Sequence, residues 1–200
     1  MDPLAACVLF DMLFVCIRPI FTNLCPLFAS WNTIVPNINR ALNALDLSHN
    51  NLGEASETIA QAVLQHPTME VFCNIPMKKM REDSLAELDL RGKGIGAHGA
   101  MVIAPLLEFS RALKSANLAK NDIGDAGAAA LSEALKSNST LESLVLIGNN
   151  IGSAGAQSLA GMLQVNKALN SVDLRLNGIP DEGKQQLRDA VKGKNITLSL

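Results

Sequence analysis

The residues with the most suggestive chemistry are Gly94-Ile-Gly96-Ala-His-Gly99. Glycines at this spacing, after a strand and at the start of a helix, can cradle a pyrophosphate on free backbone amides. Asn138-Ser-Thr and Asn195-Ile-Thr are N-glycosylation sequons. Soft metal ligands are limited to Cys7, Cys16, Cys25, Cys73, His49, His66 and His98. No C-x-x-C pair occurs and the histidines are scattered. No metal site is expected, and reduced thiols in a cytoplasmic protein are the simpler reading. The chain has no G-x-x-x-x-G-K-[ST] loop, no G-x-S-x-G and no paired carboxylates beside a pocket. No enzymatic activity, cofactor or small-molecule substrate is expected.

Each of these patterns has to sit on an element, and the elements repeat. Residues 113–140, 141–168 and 169–196 are units of 28 residues that align without a gap. Each opens Leu-x-x-[Ala/Leu/Val]-x-Leu and continues x-x-Asn-x-Ile-[Gly/Pro]. A helical pattern then begins on x-x-Gly. The asparagines are Asn121, Asn149 and Asn177; the glycines are Gly127, Gly155 and Gly183. A fixed period of this length marks a solenoid. It also reinterprets the glycine motif. Gly96 and Gly99 align with Gly124 and Gly127, and with Gly152 and Gly155, while Asp122 or Asn150 replaces Gly94. These glycines read as a tight turn and close helix packing, and no dinucleotide site is expected.

Upstream the period continues and then breaks. A repeat opens at Leu42 with Leu45, Leu47, Asn50, Leu52 and Gly53 in place. Its helix is predicted over about 56–65, with Ile59, Ala60, Val63 and Leu64 inward and Pro67 beyond its end. The next clean repeat starts at Leu85 and carries Lys93 where the asparagine belongs. Between them, 69–84 reads as a compact irregular repeat of one strand and a loop. Asp125, Ser153 and Asp181 follow the Gly/Pro position, where an N-cap is expected. The chain ends Thr-Leu-Ser-Leu200, the opening of another repeat, so a fragment of a longer repeat protein or a shortened gene product is expected.

Composition narrows the partners. With 48% hydrophobic and 18% charged residues an ordered core is expected. A net charge of −2 provides no basic face, and six Phe, one Trp and no Tyr provide few stacking platforms. Nucleic acid is not an expected partner. Residues 1–41 form an apolar N-terminal segment and linker, distinct from the repeat domain at 42–200. Asp11, Arg18, Pro19, Asn23 and Pro26 interrupt any membrane span, and no basic n-region precedes the apolar run. A buried or poorly ordered cap is the first reading. The alternative is a secreted or membrane-associated recognition protein that uses 3–31 as signal or anchor.

Leu85-x-x-Leu88-x-Leu90, and Leu141-x-x-Leu144-x-Leu146-x-x-Asn149-x-Ile151-Gly152-x-x-Gly155, resemble leucine-rich repeats. The repeat length and the helix after x-x-Gly resemble the ribonuclease-inhibitor-like subfamily, over about 42–200. The resemblance implies an α/β leucine-rich-repeat solenoid, with a curved parallel sheet inside and helices outside. It implies that Asn50, Asn121, Asn149 and Asn177 satisfy backbone groups along a ladder, since an amide both donates and accepts. Lys93 cannot accept, so the ladder is expected to break there. It further implies a non-enzymatic protein–protein interaction scaffold.

Strand positions between the leucines point to the concave face. One row reads Asp46, Asp89, Asn117, Val145, Asp173; the next reads Ser48, Arg91, Ala119, Ile147, Arg175. One reading is a solvated sheet of mixed charge. The sharper one is a protein-binding face, with Val145 and Ile147 as an apolar centre and Asp89, Arg91, Asp173 and Arg175 as its rim.

Overall fold

The structure is a computed structural model that describes residues 42–200. The readings of 1–41 as cap, linker, signal or anchor lie outside the described residues. Strands and helices alternate: β1 (Ala44–Leu45), α1 (Ala55–Gln65), β2 (Val71–Phe72), α2 (Met77–Arg81), β3 (Glu87–Asp89), α3 (Gly96–Phe109) and β4 (Ser115–Asn117). They continue as α4 (Gly124–Ser137), β5 (Ser143–Val145), α5 (Ser153–Val165), β6 (Ser171–Asp173), α6 (Asp181–Ala190) and β7 (Thr197–Ser199). Among the described residues every pairing between strands is parallel. β1 pairs β2, and β3 to β7 form one sheet in chain order. A sheet that adds each new strand beside the last, with helices stacked on one side, is a solenoid.

The register follows from side-chain alternation. Leu88, Ala116, Leu144, Val172 and Leu198 lie side by side. The first four are buried toward the helices. The residues flanking them therefore point away from the helices. Leu113, Leu118, Ile123, Leu131 and Leu135 of one repeat stack on Leu141, Leu146, Ile151, Leu159 and Leu163 of the next, all buried. Helices approach closely through small residues. A Cβ on Gly127 would lie 2.5 Å from Ile123 Cγ2 and 2.9 Å from Ala100 Cβ. No described helix is long and apolar enough to cross a membrane.

Two seams of side-chain amides join the repeats. Asn149 Oδ1 accepts the amide of Asn121 at 3.0 Å and of Ile123 at 3.4 Å, and its Nδ2 donates to Leu118 O at 2.9 Å. Asn177 repeats this toward Asn149, Ile151 and Leu146, and Asn121 toward Ile95 and Leu90. Asn50 donates only to Leu47 O and Ser48 O of its own turn. Lys93 is exposed. A second seam closes the helix ends. Asn166 Nδ2 donates to Leu135 O at 2.6 Å and to Asn138 O at 3.0 Å, while its Oδ1 accepts Ala168 N and Leu169 N. Asn138 does the same one repeat earlier, and Lys194 Nζ caps Leu163 O, Gln164 O and Asn166 O one repeat later.

Three local expectations are corrected. The unit at 69–84 contains a helix as well as a strand and a turn. Met77 and Met80 are buried at helical spacing while Lys78, Lys79 and Arg81 face out, so one amphipathic turn suffices. Asp125 does not cap its own helix. That helix already begins at Gly124, and the Asp125 carboxylate accepts Gly152 N at 2.7 Å and Gly155 N at 2.9 Å, at the start of α5. Ser153 and Asp181 are likewise the first residues of α5 and α6, too far in to act as their N-caps.

The short α2 leaves α1 to pack on α3. His49 N donates to Gly94 O at 2.8 Å, so the turns on either side of the irregular unit meet directly. Buried Phe72, Cys73, Ile75 and Met77 fill the interior there. The Arg81 guanidinium ties α2 back by donating to Met69 O, Val63 O, Leu64 O and His66 O. His98 is 1% exposed, whereas Ala126, Ala154 and Glu182 at the matching position are exposed. Its ring meets Phe72 edge-on at 5.9 Å, and its Nε2 has no hydrogen-bond partner.

Three outcomes are expected. Asn149→Ala leaves the Asn121 and Ile123 amides unpaired and should lower the unfolding free energy by about 2–3 kcal/mol in urea titrations. Asn50→Ala should lower it by less than about 1 kcal/mol. Burial holds the His98 imidazolium below its ordinary value near 6.5. Unfolding releases the ring to bind the proton, so His98 takes nothing from stability above that value and lowers it as pH falls below. His98→Leu should therefore flatten the stability difference between about pH 7 and pH 5, and an unchanged slope would contradict this.

Candidate protein-binding face

β3 to β6 each bury the central residue and free the two beside it, while β7 at the sheet edge leaves all three at least partly exposed. The freed residues form rows across the open side of the sheet. Glu87, Ser115, Ser143, Ser171 and Thr197 make the first row, and Asp89, Asn117, Val145, Asp173 and Ser199 the second. A third row follows at the strand ends. Gly92 N, Lys120 N and Gly148 N donate to Ala119 O, Ile147 O and Arg175 O, which sets Arg91, Ala119, Ile147 and Arg175 side by side.

Val145 thus lies between Asn117 and Asp173, and Ile147 between Ala119 and Arg175. Val145, Ile147 and Asp173 are half-buried, while Asp89, Arg91 and Arg175 are exposed. Asp173 and Arg175 close a two-point ion pair, with Nε to Oδ1 at 3.0 Å and a terminal nitrogen to Oδ2 at 2.7 Å. The Arg175 guanidinium holds the Asp173 carboxyl below the usual carboxylate range. Asp89 accepts only the amide of Arg91, at 3.1 Å. Asp89 and Asp173 are two strands apart from Val145 or directly beside it, so the six residues share one face but not one pocket.

One residue of this rim carries no signal in the leucine pattern. Leu176 follows Arg175, is 80% exposed and has φ +58°. The backbone is left-handed at this position in every full repeat: His49, Gly92, Lys120 and Gly148 are the counterparts. Only glycine takes that conformation without a steric penalty, which for other residues is about 1–2 kcal/mol. Aligning the turns would have singled out Leu176 as a large apolar residue where glycine recurs. Phe109 and Val165 are also exposed, but they end α3 and α5, with Ser137 of α4 between them.

The other chemistry-bearing residues are occupied by packing. A Cβ at Gly94 would lie 2.4 Å from the His49 ring, and at Gly96 2.8 Å from His98. The turn is thus filled by two imidazoles. Cys73 is buried and free, and burial pushes its thiol up to about 11. Asn138 is 4% exposed with its amide bonded on both sides, so a glycan there is incompatible with this packing. Among the described residues, no three His, Cys, Asp or Glu side chains could hold a metal ion together.

A family model described as Leucine Rich repeat matches residues 39–55, 110–132 and 137–160. The chain carries leucine-rich repeats. These matches and the sheet topology together define an α/β leucine-rich-repeat solenoid. No curated protein matches the chain. Among solved structures, "Leiomodin-1 Actin-Binding Site 2 (ABS2)" superposes with a TM-score of 0.57 at 20% identity, over 63% of this chain and 77% of that one. That likeness concerns the fold. Proteins of this architecture offer a broad rigid surface to other proteins.

Leu176→Gly relieves the left-handed backbone and uncovers no core. It is expected to leave thermal stability unchanged or to raise it, by at most about 1 kcal/mol, in differential scanning calorimetry. A clear loss of stability would mean that Leu176 holds the fold together.

Proposed function

We propose that the protein is a non-enzymatic scaffold of the ribonuclease-inhibitor-like type that binds a partner protein through its concave face. The observation that carries this reading is the apolar pair Val145 and Ile147 on the open side of the sheet, with the strained, exposed Leu176 in the turn one repeat on. Monomeric proteins seldom hold large apolar side chains in the open against their backbone preference without a use for them. Asp173 and Arg175 supply a polar rim already neutralised against each other. Such a pair excludes water around an apolar contact without demanding a charged partner. The face is shallow, which favours a macromolecule over a metabolite. We further propose a cytoplasmic location. The free thiol of Cys73 and the closed environment of Asn138 support it.

The test is affinity capture with mass spectrometry, comparing the natural chain with the double variant Val145→Glu and Ile147→Glu. The variant is expected to lose at least about 30-fold in binding to whatever protein the natural chain captures, the scale of a disrupted hot spot. Circular dichroism should not change, since neither side chain is part of the buried core. Undiminished capture by the variant would sink the concave-face reading.

A further inference from the structure

The same three-residue frame, Asp-Leu-Arg, occurs twice on the open face, closed on one strand and open on another. At Asp173-Leu-Arg175 the two charged side chains satisfy each other. At Asp89-Leu-Arg91 they do not, and neither Glu87, Asp89 nor Arg91 has an ion-pair partner among the described residues. Asp46, on the turn after β1, is also exposed and accepts hydrogen bonds from Ser48. On β3 itself two carboxylates, Glu87 and Asp89, stand against one guanidinium, Arg91. On β4 the three rows are uncharged, with Ser115, Asn117 and the buried Ala119, and the exposed Lys120 follows in the turn. On β5 the face becomes apolar, with Val145 and Ile147. From β3 to β5 the rows therefore pass from anionic to polar to apolar, ahead of the Asp173–Arg175 pair on β6.

The strand spacing sets what can span this gradient. Parallel strands lie about 4.8 Å apart, so the row positions of Asp89 on β3 and Val145 on β5 are about 10 Å apart. In an α-helix, residues seven apart share a face and are about 10.5 Å apart along the axis. An extended segment covers the same distance in about three residues, but an odd separation turns its two side chains to opposite sides. A helix laid along the solenoid axis is the element that meets both ends of the gradient with one face.

We propose that the concave face takes an amphipathic helix of a partner protein, with a Lys or Arg over Glu87 and Asp89 and a large apolar side chain seven residues away over Val145 and Ile147. This rests on the reading of the concave face as the binding surface. Charge complementarity fixes the basic end, and the uncharged β4 strip between the two contacts accepts a small or polar residue.

A display library of single helices, randomised along one face, tests this by selection against the full chain of 200 residues. Enriched helices are expected to carry a basic and a large apolar residue seven apart. Their binding should fall roughly 3- to 10-fold on Glu87→Gln with Asp89→Asn, the scale of two exposed ion pairs. The loss should shrink as salt is raised. Both variants sit on exposed positions, so they leave the fold intact. Enriched helices that ignore Glu87→Gln with Asp89→Asn, but are lost on Val145→Glu with Ile147→Glu, overturn the basic-helix proposal and leave the concave-face reading standing. Helices insensitive to both pairs, acidic helices in place of basic ones, or no enrichment at all overturn it too; insensitivity to both pairs counts against the face itself.

Discussion

The structure depends on the satisfaction of backbone groups between one repeat and the next. A strand of three residues followed by a tight turn leaves buried amides and carbonyls that water does not reach. Asn149 supplies both kinds of partner at once: its oxygen takes the Asn121 amide and its nitrogen gives to Leu118 O. An aspartate could not donate and a lysine could not accept, so the position is narrow in chemistry. Because its oxygen reaches an amide 28 positions back and its nitrogen a carbonyl 31 positions back, Asn149 also fixes the length of the repeat. Asn138 and Asn166 impose the same length at the helix ends, so each regular repeat is pinned at both edges.

Where one seam lapses, packing and other donors take over. The Asn50 side chain bonds only within its own turn, and Lys93 faces solvent. The first ladder therefore starts at Asn121, which reaches back to Leu90 O and Ile95 N. Across the gap, Phe72, Ile75 and Met77 bring bulk in place of a full helix, and Arg81 replaces the helix-end asparagine with a guanidinium that reaches four carbonyls. His98 is buried by that arrangement at a position other repeats expose. An imidazole with an unpartnered nitrogen is tolerated there because it stays neutral.

Much of this was legible in the sequence because a repeat states its own geometry several times over. The leucine rows, the inward helix faces and the packing role of Gly96 and Gly99 all follow from aligning the units. What escaped follows from single-copy or non-local features. The second seam was present as Asn138, Asn166 and Lys194 at one period, but Asn138 reads first as a sequon and Lys194 is chemically unlike the other two. Asp125 serves the following helix, which no pattern inside its own repeat can announce. The helix at Met77–Arg81 is one turn long, below the length at which periodicity distinguishes helix from loop. Leu176 was hidden because hydropathy does not report φ.

The division of labour within each repeat bears on what the protein does. Both seams and the core use residues that point toward the helices or lie in the turns. The strand residues that point away from the helices contribute little to either, and their identities vary: glutamate or serine, aspartate, asparagine or valine. A backbone held at fixed spacing with side chains free to differ is a preorganised surface, which lowers the ordering entropy that a partner must overcome. Solubility alone would favour polar residues at those positions, and the left-handed turn would favour glycine after Arg175. Val145, Ile147 and Leu176 satisfy neither demand. The fold accounts for the leucines that face the helices; it does not account for these three, and the proposed contact surface does.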